Sequence, residues 1–100
     1  MIHVVAILTA KPGKGPELLE AIAKVVPQVH AEKGCIEYQP VTDAENAGAS
    51  QDKVGPDSLV VIEKWDTLDD LKAHSASAHM AAFGKSVADI MVGKTVHVLD

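Results

Sequence analysis

The stretch EKWDTLDDLKAHSASAHM, residues 63–80, gathers four carboxylates, two histidines and the only Trp of the chain. Imidazole changes protonation near neutral pH and so suits proton transfer; indole offers a flat apolar wall with one hydrogen-bonding tip. The 100 residues hold one Trp, one Tyr and one Phe, so an aromatic this close to two histidines poses a choice. Either Trp65 is a core plug and the histidines are incidental, or the stretch walls a reaction pocket. Strand alternation puts Trp65, Glu63, Val61 and Leu59 on one face. His79 and Phe83 stand one helical turn apart, where they can line the same space. Tyr38, on another apolar segment, is a further candidate contact.

Each of these residues also has a plain structural role. Trp65 can be a large core residue, and Glu63 can pair with a Lys on the next strand. His74 can settle the C-terminus of a short helix, and His79 can bond a backbone carbonyl or a partner chain. His3, His30 and His97 are expected at the surface or an interface. No metal motif is visible: His74 and His79 do not share a helical face, and there is no HExxH or paired-Cys spacing. Gly-x-Ser-x-Gly, a phosphate loop and the dinucleotide-binding glycines are absent, which leaves those hydrolase and nucleotide classes without support.

The elements that must hold these side chains follow from periodicity. IHVVAILTA (2–10) reads as a strand covered on both faces, ended by Pro12 and Gly13. From Pro16 to Lys33, Leu18, Leu19, Ile22, Val25, Val26 and Val29 form one helical stripe, with a kink or break expected at Pro27 and a stop at Gly34. CIEYQPVT (35–42) and SLVVIEKW (58–65) are strands around a long polar segment, 43–57. A short helix follows, capped by Thr67 and anchored by Leu68 and Leu71. A second helix runs from Ser77 to a stop at Gly93, burying Met80, Phe83, Val87, Ile90 and Met91, before a last strand KTVHVLD. The order β-α-β-β-α-β is the ferredoxin-like α+β unit, one domain over 1–100. Leu59, Val61 and Leu99 alternate with Val60, Ile62, Val96 and Val98, so both sheet faces look apolar. A second copy of the chain is the simplest cover, predicting a homodimer with facing sheets.

Composition narrows the setting. The net charge of −5 and the lack of a basic block argue against nucleic acid and anionic membrane surfaces. No apolar run is long enough to span a bilayer, and the N-terminus has no signal-peptide pattern. Cys35 is alone and reads as a packed thiol, consistent with a cytoplasmic protein.

The pattern carried by Glu63, Trp65, His74, His79 and Met80 resembles the antibiotic biosynthesis monooxygenase superfamily, most of all its bacterial quinol monooxygenase branch. PGKG, AKVVPQV, GCIEYQPVTD and GPDSLVVIEKW extend the resemblance over nearly the whole chain. It implies a dimeric α/β barrel that oxygenates a quinol or similar hydroxylated aromatic with O2, without metal, flavin or heme. It makes His74 the base and Trp65 its catalytic companion, with Tyr38, Glu63, His79 and Phe83 around the substrate. The heme-degrading branch carries an Asn near Ala6, so heme breakdown is disfavoured. Ala78 and Phe83 stand where relatives often have Pro and an oxygenated aromatic. Two rivals use the same pocket: an isomerase of a small metabolite, and a dimer that binds a small molecule without converting it.

Overall fold

The computed structural model describes all residues from Met1 to Asp100. Four antiparallel strands form one sheet in the order β2-β3-β1-β4: β1 Ile2–Ala10, β2 Cys35–Val41, β3 Ser58–Trp65 and β4 Met91–Leu99. The helices α1 Gly15–His30, α2 Leu68–Ser75 and α3 Ala78–Ser86 complete the chain. This is the expected ferredoxin-like plan, with its second helix divided in two. The β-branched residues of β1 and β3 give the sheet a stiff centre. On its helix side Val4, Leu59, Val61 and Trp65 pack against Leu18, Ile22, Val29 and Val87, all fully buried.

A distant carboxylate opens α1. Asp57, just before β3, accepts from the Gly13 and Gly15 N–H groups at 3.1 and 3.0 Å, satisfying donors that a helix start leaves free. The helix continues through Pro27, against the expected break. Pro27 and Ala23, the carbonyl that loses its donor, lie on the exposed side, where water replaces the missing bond. Gly34 follows at φ +79°, and a Cβ there would overlap the Asp70 carboxylate. The chain reverses there because glycine alone fits both constraints.

The second helical region departs from expectation. α3 ends at Ser86, and Met91 opens β4, with Gly93 inside that strand opposite Thr9. Val87, Ile90 and Met91 keep helical spacing in sequence but fall in a turn and a strand. The Val87 carbonyl closes the turn by accepting from the Ile90 and Met91 N–H groups, each at 3.0 Å, and the chain then joins β1, where the Lys11 N–H donates to the Ile90 carbonyl at 2.7 Å.

The two-sided apolar reading also shifts in detail. Val96 and Val98 pair with Ala6 and Val4 and so lie on the helix face, yet remain about half exposed at 46% and 50%, because the helices do not reach β4. The opposite face still carries an apolar stripe of Val5, Ile7, Val60 and Ile62, all half-buried. The 43–57 segment is organised by Asp43, which accepts from the Val54 and Gly55 N–H groups, each at 2.9 Å. These bonds hold the Asp43 carboxyl below its ordinary range.

Candidate active site

Register places the site. Tyr38 of β2 pairs with Glu63 of β3, so phenol and carboxyl stand side by side on the helix face. Two residues on, Trp65 is sealed from solvent and its indole Nε1 donates to Glu63 Oε1 at 2.9 Å. His74, in the last turn of α2, lowers its ring onto both aromatics. Its centroid lies 4.7 Å from that of Trp65 and 5.3 Å from that of Tyr38. Thr67 starts the helix that delivers it by accepting from the Asp70 N–H at 3.1 Å, and Ser77 Oγ donates to the His74 carbonyl at 2.7 Å.

The residue that sequence spacing does not reveal is Glu32. It sits in the turn between α1 and β2, and its Oε2 meets His74 Nδ1 at 2.8 Å and His79 Nε2 at 2.7 Å. A carboxylate only accepts, so neutral His74 carries its proton on Nδ1. Nε2 then keeps a free lone pair. Glu32 is 42 residues from His74, and no local pattern reaches that far; only the packing of the α1–β2 turn against α2 and α3 joins them.

Below His74 lies a cavity of about 220 Å3 between the sheet and the helices, walled mainly by apolar side chains. Tyr38, Glu63, His74, Phe83 and Lys94 reach it from different elements. No sealed polar side-chain atom lacks a partner. The Tyr38 hydroxyl, Glu63 Oε2 and His74 Nε2 have none, so they touch open space, and the cavity is the space their residues share. Trp65 lies behind Glu63 and His74 and does not line it. His79 opens instead onto a groove between α1 and α3, to which Phe83 contributes its other side. None of residues 43–57 borders the cavity.

Burial sets the protonation states. The Glu63 carboxyl is raised above its ordinary range by desolvation, opposed by the indole bond and, when the ring is protonated, by His74. Burial, helped by Glu63 and Glu32, pushes the Tyr38 phenol well above its ordinary range, so it remains a neutral O–H donor. The half-buried Cys35 thiol is raised as well, first by burial and then by Glu32 and Glu63, consistent with a packed thiol and not a nucleophile. His30, exposed as expected, bonds through Nε2 to the Tyr38 carbonyl at 3.0 Å.

The profile described as Antibiotic biosynthesis monooxygenase matches residues 1–86. The chain belongs to the antibiotic biosynthesis monooxygenase family. Within that family, the Escherichia coli K12 protein named "Probable quinol monooxygenase YgiN" is 35% identical over 101 residues, covering 99% of this chain and 96% of that protein. A Shigella flexneri protein of the same name matches equally. A solved structure from Nitrosomonas europaea superposes with a TM-score of 0.84 at 22% identity, covering 100% of this chain and 97% of that one. One from Deinococcus radiodurans gives 0.81 at 18%, with 100% and 91% covered. These likenesses bear out the fold. Membership sets this chain among proteins described as monooxygenases, as the motif around Glu63, Trp65 and His74 led us to expect.

Proposed function

We propose that this chain is a cofactor-free monooxygenase that oxidises a compact quinol, or a similar hydroxylated aromatic, with O2. The observation that carries the reading is the free Nε2 of His74 facing an apolar cavity while Glu32 holds Nδ1. In a nucleophile–base–carboxylate triad the carboxylate likewise fixes the imidazole tautomer. A cavity of about 220 Å3 suits one substituted ring, since a void of roughly 150 Å3 holds benzene. The relative named as a quinol monooxygenase points to the same class.

The steps balance. His74 Nε2 takes a substrate hydroxyl proton, and Tyr38 donates a hydrogen bond to the resulting oxyanion. The electron-rich anion gives one electron to O2, and the radical pair recombines at a ring carbon as a peroxide. Cleavage of O–O leaves one oxygen on the ring. The other departs as water with the proton returned by His74 and the hydrogen lost from that carbon. Overall, quinol plus O2 gives hydroxyquinone plus water. Trp65 is a positioning residue here, holding Glu63 by its indole and His74 by its ring.

We further propose that the enzyme works as a homodimer through the apolar sheet face, in the cytoplasm, where the lone Cys35 stays reduced. A second reading, proton shuttling by an isomerase, is favoured only by the free Glu63 oxygen sharing the cavity with His74. An oxygen electrode with a panel of benzo- and naphthoquinols, using ¹⁸O2 to label the product, tests the first reading. Wild type should consume one O2 per quinol and place one label in the product, and H74A should lose at least about 10²-fold in rate. Rearranged substrate without oxygen uptake would instead establish the isomerase.

A further inference from the structure

The carboxylate that orients His74 also holds His79, and that second contact is not needed to make His74 a base. The three donors, Glu32 Oε2, His74 Nδ1 and His79 Nε2, lie within 4.8 Å of one another. We infer that Glu32, His74 and His79 form a binding site for a divalent transition cation such as Zn2+, and that loading it switches off the base at His74. Two imidazoles and one carboxylate, with a position left for water, are a favoured donor set for Zn2+ and its neighbours. Ligands at about 2.1 Å from a tetrahedral ion stand roughly 3.4 Å apart. The present 2.8 and 2.7 Å separations need to open by well under an ångström each, and the two ring nitrogens, within 4.8 Å of one another, need to close by at most about 1.4 Å.

The three side chains come from the α1–β2 turn, α2 and α3, so an ion would tie the lightly packed α3 to the body of the fold. No residue of α3 is buried, which leaves it free to make that adjustment. An entry path exists, because the His79 and Glu32 side chains keep 20% and 14% of their surface exposed and His79 opens onto the α1–α3 groove. His74 would meet the ion on the side of its ring away from the cavity.

The consequence for His74 follows from imidazole chemistry. When Nδ1 gives its lone pair to a metal, a neutral ring carries its proton on Nε2. The cavity atom then becomes an N–H donor and can no longer accept the substrate proton. This half of the inference rests on His74 being the base; the binding itself does not.

Chelator-treated full-length protein titrated with Co2+ and followed by its visible d–d bands reads binding without substrate, and calorimetry with Zn2+ gives the stoichiometry. One ion per chain is expected, with affinity weakened more than about tenfold in E32Q and in H79A. His79 is half-buried on a helix with no buried residue, so H79A removes no core side chain, and its circular dichroism spectrum checks that it folds. The ratio of oxygen-uptake rates without and with Zn2+ should be large in wild type and fall toward one in H79A, whatever the basal rate of that variant. Absence of cobalt bands, or one-ion binding that persists in both variants, overturns the site. Binding that leaves the wild-type rate unchanged overturns the switch. Cobalt bands in a protein that consumes no oxygen with any quinol would sink the monooxygenase reading and leave the site standing.

Discussion

Glu63 has the Trp65 indole on one carboxylate oxygen and cavity space at the other, with no cation bonded to either. Desolvation raises its folded pKa above the usual value near 4.5, so ionising it costs more in the folded chain than in the unfolded one. Below pH 4.5 the carboxyl is protonated in both states and the cost vanishes; above the folded pKa the cost is paid in full. E63Q keeps an oxygen to accept from the indole and removes the charge. Its melting temperature should exceed that of wild type at pH 7.5, and the gain should shrink to nothing as the pH falls toward 4. Thermal melts by circular dichroism across that range check the prediction, and a lower melting temperature for E63Q at pH 7.5 would refute it. A destabilised carboxylate at this place fits a site where stability yields to chemistry.

At the scale of elements, the turn between α1 and β2 does two jobs, ending a helix and presenting Glu32. Gly34 and Gly13 have nearly the same backbone, φ +79° and +81°, but only Gly34 has a neighbour in the space a Cβ would take. G13A should therefore cost only the left-handed strain, about 1 kcal/mol. G34A adds the displacement of Asp70 and should cost at least about 2 kcal/mol. Urea unfolding followed by the fluorescence of the single Trp65 compares them, and equal midpoints would mean that the Asp70 contact carries no energy. The same turn shows what was legible in the sequence. The stripe from Leu18 to Val29 and the strand around Trp65 could be read because burial repeats locally at fixed periods. The end of α3 could not, since Val87, Ile90 and Met91 keep helical spacing while a turn closed on the Val87 carbonyl and the pairing of Met91 with Ala10 of β1 decide where the helix stops. Tyr38, Glu63 and His74 were identifiable as residue types on cavity-facing segments, whereas Glu32 was hidden, because the contact that matters links positions far apart in the chain.

The whole molecule leaves one sheet face unfinished. Alternation puts Val5, Ile7, Val60 and Ile62 opposite the cavity side, and their neighbours include Val41 and Leu99, 38% and 50% exposed. Polar groups rim this stripe: the Lys64–Glu37 ion pair at 3.2 Å, the Thr9–Ser58 hydroxyl bond at 2.8 Å, and His3 and His97. An apolar centre with a polar rim is the anatomy of an interface, and one self-complementary patch suits a two-fold dimer. Ile62 lies near the middle of the stripe, paired with Val5 on one side and Gln39 on the other. A lysine there would face its own copy, or strand a charge, across packed sheets about 10 Å apart. In a lone subunit it would simply reach water. I62K should thus turn a wild-type dimer into a folded monomer in light scattering, with its circular dichroism spectrum retained. Glu63 and Val61 flank Ile62 in β3 and point into the cavity, so a sheet freed from its partner should also hold the quinol less firmly, raising KM more than it lowers kcat. A wild-type chain that scatters as a monomer at micromolar concentration, or an I62K chain that stays dimeric, would show that this face is not the contact.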